Sequence, residues 1–208
     1  MMPDFLPPVL IRTESILTPS EKIFVPVVTN LMNPSVERFI NQTIRQTIDQ
    51  MRHEQLKYQS GSNPQTTGHF EIKTNERGIV SLTLSNYTYS YPMAHGYTIL
   101  RALTFDIMTG KFYSLPDLFK PGSPYITIIS QQVSEQIIKR QIPLLEPFHS
   151  ISPNQSYYLA DKALVIFFAL YEITPYYVGF PMFPISVYSL QSISADPGPL
   201  TTLAAEIN

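Results

Sequence analysis

The chain contains no cysteine. Disulfides, thiolate metal sites and thiol nucleophiles are therefore excluded, while the redox compartment stays open. Charge is scarce. Asp, Glu, Lys and Arg make up 14% of the 208 residues, against roughly 25% in an average soluble domain. The formal net charge is −2 and no basic run or stripe occurs, so there is no electrostatic case for nucleic acid. Long apolar runs are missing as well. The longest, at 163–170, spans eight residues, far short of the ~20 that cross a bilayer, so no membrane span is expected. The first twenty residues carry Asp4, Arg12, Glu14 and several prolines, which leaves no apolar leader core. On this reading the protein is soluble and cytoplasmic or spore-associated, or belongs to the cell envelope if these residues are part of a longer protein. The eight glycines never form a Gly-x-Gly-x-x-Gly cradle, and only Gly61-Ser62 approaches a serine elbow. His53, His69, His95 and His149 lie far apart, with no His-x-His or His-x-x-x-His. No metal site and no cofactor are expected.

Aromatic side chains are plentiful, with 13 Tyr and 12 Phe but no Trp. Loose alternation over 9–17 predicts a first strand. Residues 24–28 predict an edge strand at best, because Pro26 cannot donate to a ladder. Asn33-Pro34 opens a helix over about 34–56: Asn33 suits the N-cap and Pro34 sits where a missing N–H is harmless. Val36, Ile40, Ile44, Ile48 and Met51 recur at helical spacing, with Phe39 beside them. Residues 60–67 read as a loop by composition and 69–73 as a strand. A long strand at 79–91 follows a turn at Glu76-Arg77-Gly78. Its pattern changes phase, from Val80, Leu82 and Leu84 to Tyr87, Tyr89 and Tyr91, which predicts a bulge near Ser85-Asn86. A strand at 97–107, a turn at Thr109-Gly110 and a helical turn at 115–119 come next. A second helix opens at Ser123-Pro124, with Tyr125, Ile128, Ile129, Val133, Ile137 and Ile138 as its buried face. The run 163–171, paired with 156–159 across Asp161-Lys162, lacks alternation, as a central strand covered on both faces would. A last strand at 183–188 precedes a loosely packed tail. The fold class is α+β: a mostly antiparallel sheet with two main helices packed on it, in two interlocked subdomains. The expected divisions are 1–92, 93–190 and a tail at 191–208.

Several segments together resemble a known family. They are Ile40-Asn41, Tyr87-Thr88-Tyr89, Ala94-His95-Gly96, Phe105-Asp106 with Thr109-Gly110-Lys111, and Leu115 with Asp117-Leu118-Phe119. Tyr157-Tyr158-Leu159, Val165-Ile166-Phe167-Phe168, and Tyr171-Glu172-Ile173 with Pro175-Tyr176 and Gly179 complete the set. In this order they resemble the domain pair of unknown function in RsiV-type anti-sigma factors and PdaC-type peptidoglycan deacetylases, over residues 10–190. The resemblance implies an α/β fold in two interlocked parts, a Gram-positive, Bacillus-like source, and a sensor region that binds lysozyme. Neither a transmembrane helix with a sigma-binding segment nor a deacetylase domain is visible, so those two activities are not expected to carry over.

The candidate residues each have a structural alternative. His95 lies between two strands beside a glycine. A general base needs an orienting partner, and none is near in sequence, so a hydrogen-bonded turn histidine is the simpler account. Tyr87, Tyr89 and Tyr91 share a face suited to stacking on sugars or anchoring a protein. Packing beneath the first helix is the simpler account for Tyr87 and Tyr89. Tyr176 and Tyr177 lie in a Pro/Gly loop, where function concentrates. Glu172 follows an apolar run and is expected half buried, hydrogen-bonded to its own loop. No catalytic residue is assigned. The ligand-binding candidates are Tyr176, Tyr177, Phe180, Tyr91 and His95, with the 61–67 segment as a second candidate loop. The expected function is a non-catalytic binding domain whose ligand is a lysozyme-like protein or a peptidoglycan fragment. The alternatives are an assembly protein of a sporulating cell and a carbohydrate-active enzyme using Glu172, Asp106 or His95.

Overall fold

A computed structural model describes residues 8–59 and 61–205. It is α+β, and the chain divides into two compact units, one ending at Lys111 and one beginning at Phe112. A division after residue 92 would instead cut the hairpin of strands 79–91 and 97–106, which are paired from Ile79–Asp106 through Thr88–Tyr97.

In the first unit, β1 (Leu10–Leu17) pairs antiparallel with β2 (Glu21–Thr29). Helix α1 (Pro34–Gln55) follows. Asn33 caps it, its Oδ1 accepting from the Ser35 N–H at 2.9 Å and the Val36 N–H at 3.4 Å. Strands β3 (Ser62–Glu76), β4 (Ile79–Tyr91) and β5 (Tyr97–Asp106) complete a sheet in sequence order. Arg77 and Gly78 both take positive φ between β3 and β4, the primed turn that matches strand twist. Val36, Ile40, Ile44, Ile48 and Met51 bury α1 against Val80, Leu82 and Leu84 of β4 and Ile99, Leu103 and Phe105 of β5. Phe39 lies outside that stripe and is exposed. Arg52 fixes the helix to β2 through a two-pronged pair with Glu21 (2.8 and 2.6 Å), which raises the Arg52 pKa further.

Several expectations change here. β2 is second in the sheet order, not an edge strand. Its parallel pairing with β3 covers only Glu21–Ile23, however. From Phe24 onward its second side faces no strand, and Pro26 has no N–H to leave unpaired there. Residues 62–67 belong to β3 rather than to a loop, and Ser60 lies outside the described residues. Pro64 falls in a register shift between Ser62 and Gln65, where its missing donor is not needed. The second shift lies between Ile72 and Thr74, also on β3. β4 itself runs without a shift against β5. Its even-numbered residues stay buried throughout, passing from Val80, Leu82 and Leu84 to Asn86, Thr88 and Ser90. The tyrosines therefore point to the opposite face and do not pack under α1.

In the second unit a 3-10 turn (Leu115–Leu118) precedes α2 (Tyr125–Arg140). Ile129, Val133 and Ile137 of α2 are buried, whereas Ile138 is 74% exposed. Strands β6 (Tyr157–Ala160), β7 (Ala163–Phe167) and β8 (Met182–Ser186) form a second sheet with β7 in the middle. β7 stops at Phe167 rather than 171. The outer side of β8 is closed by α2. Arg140 Nη1 donates to Met182 O at 2.7 Å and Gln136 Nε2 to Pro184 O at 3.0 Å, and Pro184 itself lacks a donor. Such side-chain cover removes the edge as a template for another strand. Residues 191–205 are not loose, and 206–208 lie outside the described residues. The segment bridges Phe119 at Ser194, then forms α3 (Pro199–Ala204), whose Leu200 and Leu203 are buried. Lys162 Nζ closes that helix by donating to Leu203 O.

Candidate functional site

Residues 168–181 connect β7 to β8 and carry three tyrosines. The base of this loop is set by Phe168, which is buried edge-on against the Phe148 ring (6.0 Å) and the Phe183 ring (5.7 Å). The Phe168 N–H donates to Pro181 O at 3.2 Å across the neck. Gln155, itself buried, donates through Nε2 to Phe167 O (3.0 Å) and Glu172 Oε1 (3.1 Å). The other carboxylate oxygen of Glu172 accepts from the Ala169 N–H at 2.6 Å. Glu172 is therefore the loop's internal brace, as its structural reading held, although the residue is exposed rather than half buried.

On this frame Tyr171 adopts φ 64° and its ring lies 5.5 Å from that of Tyr176. Tyr176–Val178 makes one 3-10 turn, ended by Gly179 at φ 77°, ψ −138°, a region that side chains avoid. Tyr177 stands out at 79% exposure, while Tyr176 and Phe180 are half buried. Tyr171 is the residue that sequence reasoning missed, because it appeared to continue the apolar strand before it. A cluster of tyrosines on a braced loop offers flat apolar faces and polar tips.

The remaining candidates lie in the other unit. Tyr91 is 69% exposed at the end of β4. His95 sits in the following turn with Nδ1 2.8 Å from Gly96 O, and its own carbonyl accepts from Gln59 Nε2 at 3.3 Å. Asp106 Oδ1 accepts from the N–H groups of Met108 (2.7 Å) and Thr109 (3.0 Å), an Asx turn ahead of Gly110 at φ 77°. Asp106 and Glu172 are thus both engaged in holding backbone. Among the described residues no group of three or more His, Asp or Glu comes together to hold a metal ion, and no helix is long and apolar enough to cross a membrane.

Tyr97 opens β5 beside this turn, stacked on Tyr58 with centroids 4.0 Å apart. Burial, then the neighbouring Tyr58 and Glu54, push its pKa up to about 12. Between pH 10 and 12 an unfolded chain has released this proton while the folded chain still holds it. Its contribution to stability is therefore full below pH 10 and lost as pH rises to 12. Denaturant midpoints measured across that window should fall less steeply for Tyr97→Phe than for the wild type. Parallel curves would contradict the assignment.

Residues 116–188 match the family model of a protein of unknown function, DUF3298. The chain is also 30% identical, over 179 residues, to the anti-sigma-V factor RsiV of Bacillus subtilis (strain 168). Over residues 116–188 the chain thus matches DUF3298, and over a longer stretch it is similar to RsiV. The alignment covers 77% of this chain and 60% of that relative, so the chain spans less than two thirds of the relative's length. Two solved DUF3298 structures share the fold. One, from Bacteroides fragilis NCTC 9343, has a TM-score of 0.68 at 13% identity, covering 98% of this chain and 97% of that one. The other, from Pseudomonas aeruginosa PAO1, has a TM-score of 0.66 at 15% identity, covering 96% and 97%. The part matching the DUF3298 model contains the whole tyrosine loop.

Proposed function

We propose that this chain is a non-catalytic binding module, and that the β7–β8 loop of the part matching DUF3298 takes a lysozyme-like protein. The observation that carries this reading is the presentation of Tyr171, Tyr176 and Tyr177 on a loop braced from beneath by Gln155 and Glu172. Tyrosines are enriched at the centres of protein interfaces, and a loop fixed before binding loses little entropy on contact. The similarity to a protein named as an anti-sigma factor supports a protein as the partner class. The hydrogen bonds at Asp106 and Glu172 support a structural rather than an acid–base role for both.

Calorimetric titration with hen lysozyme, and separately with soluble muropeptides, tests the reading. Saturable heat with lysozyme is expected. Tyr177→Ala should weaken binding about tenfold or more, as truncation of an interface anchor does. Ile138→Ala, on the exposed side of α2, should leave it unchanged. No heat with lysozyme at concentrations where a micromolar Kd would show, or full binding by Tyr177→Ala, would overturn it.

A further inference from the structure

The first unit carries an aromatic surface that the loop reading does not use. Tyr87, Tyr89 and Tyr91 all project from the same side of β4 and all are exposed. Two-residue steps along a strand set them about 7 Å apart, a row about 13 Å long. The cross-strand partners of the row are Ser62, Gln65 and Thr67 on β3 and Thr98 on β5. Each offers a hydroxyl or an amide and none is charged. The same face continues through His69, whose ring lies 5.7 Å from that of Phe24. Lys22, paired with Thr67, is the charge nearest the row along the ladder, and its ammonium lies over the Phe24 ring.

The row is held from the other side of the sheet. The Ser90 N–H donates to Gln59 Oε1 at 2.8 Å, and Gln59 Nε2 reaches the His95 carbonyl. Gln55 Nε2 donates to Tyr97 O. Two buried glutamines, Gln55 at the end of α1 and Gln59 four residues beyond it, thus clamp the end of β4, the turn leaving it and the start of β5. Gly96 completes the arrangement. A Cβ there would sit 2.3 Å from the Tyr87 ring, so the ring rests directly on the backbone. Little freedom is left in this backbone or in the Tyr87 ring for a ligand to remove.

We propose that this face binds an uncharged oligosaccharide chain laid along β4, its sugar rings stacked on Tyr87, Tyr89 and Tyr91. The row is linear and longer than one sugar. Its faces are apolar and its immediate borders supply hydroxyl and amide hydrogen bonds, which is the combination a sugar's C–H face and rim require. A strongly anionic or cationic partner would find no complement beside the row. The proposal is independent of the protein partner assigned to the β7–β8 loop.

The test is titration of the full chain with chitohexaose, followed by calorimetry and by tyrosine emission, which no tryptophan obscures. Saturable binding is expected, unchanged between low and high salt because no charge pairs form. Tyr89→Ala and Tyr91→Ala should each weaken it about tenfold. Tyr89→Phe should stay within about twofold, since stacking needs the ring and not the hydroxyl. Tyr177→Ala should bind the sugar normally. The proposal falls if no saturation appears where a millimolar Kd would show, or if both alanine variants bind like the wild type. It also falls if the sugar fails to bind while Tyr89→Ala and Tyr91→Ala lose hen lysozyme, which would assign the face to the protein partner.

Discussion

Asn41→Ala is expected to lower the unfolding midpoint by roughly 10 °C, from a loss of ~3 kcal/mol. The reason lies in how far β2 is paired. β1 covers one side of it from Lys22 to Thr29, but β3 covers the other side only from Glu21 to Ile23. Beyond that point Val28 is fully buried and its N–H and C=O face no strand. The Asn41 side chain stands in for one. Its Oδ1 accepts from the Val28 N–H and its Nδ2 donates to Val28 O, both at 2.8 Å. Removing that amide leaves two buried backbone groups without partners, which costs more than the loss of an ordinary exposed hydrogen bond. Two residues earlier on the same side, Pro26 avoids the problem by having no donor. Gln42→Ala is the control, on the exposed face of the same helix, and should stay within about 0.5 kcal/mol of the wild type. Equal midpoints for the two variants, by calorimetry or chemical denaturation, would refute the account.

Asn41 also illustrates what could be read from the residues and what could not. The helix around it was legible, because Val36, Ile40, Ile44, Ile48 and Met51 follow a single 3.6-residue period and Asn33-Pro34 marks its start. The job of Asn41 was not legible, since it depends on where β3 stops pairing with β2, and pairing is set by tertiary geometry. The same limit explains the tyrosine row. The change from even positions (Val80, Leu82, Leu84) to odd ones (Tyr87, Tyr89, Tyr91) reads as a bulge that would keep the tyrosines under α1, whereas β4 has no shift against β5 and the tyrosines take the opposite face. The inward positions turn polar instead, at Asn86, Thr88 and Ser90. Nothing local shows that Gln55 and Gln59 sit opposite to receive that stretch. Composition misled at 62–67, where Asn, Pro, Gln and Thr form a strand because β4 lies beside them. In the part matching DUF3298, proline and glycine marked the loop at Tyr176 and Tyr177. Tyr171 escaped notice, since nothing before it signals that the chain leaves the sheet at Phe167 and turns through a positive φ.

Gln155→Leu is expected to undo the loop without touching any tyrosine. One buried amide holds three groups: its Oε1 accepts from the Ser152 N–H at 3.2 Å, and its Nε2 serves Phe167 O and Glu172 Oε1. Leucine fills similar space but leaves the Phe167 carbonyl unpaired just where β7 ends, at a cost of about 2–3 kcal/mol. Glu172 then loses the donor that positions it, and with it the brace on the Ala169 N–H weakens. Tyr171 and Tyr177 should become more mobile, so chymotrypsin should cut after them faster than in the wild type, and the midpoint should fall by several degrees. Binding of lysozyme by the loop should weaken about tenfold or more, because ordering the loop would have to accompany binding. Gln155→Glu separates the brace from simple packing. It keeps the shape but sets a second carboxylate against Glu172, so loop order and binding should be lost at neutral pH and regained in acid, where one of the two takes up a proton. If both variants resist chymotrypsin and melt like the wild type, the loop is held by Phe168 and its contact with Pro181 O instead, and Gln155 is not its keystone.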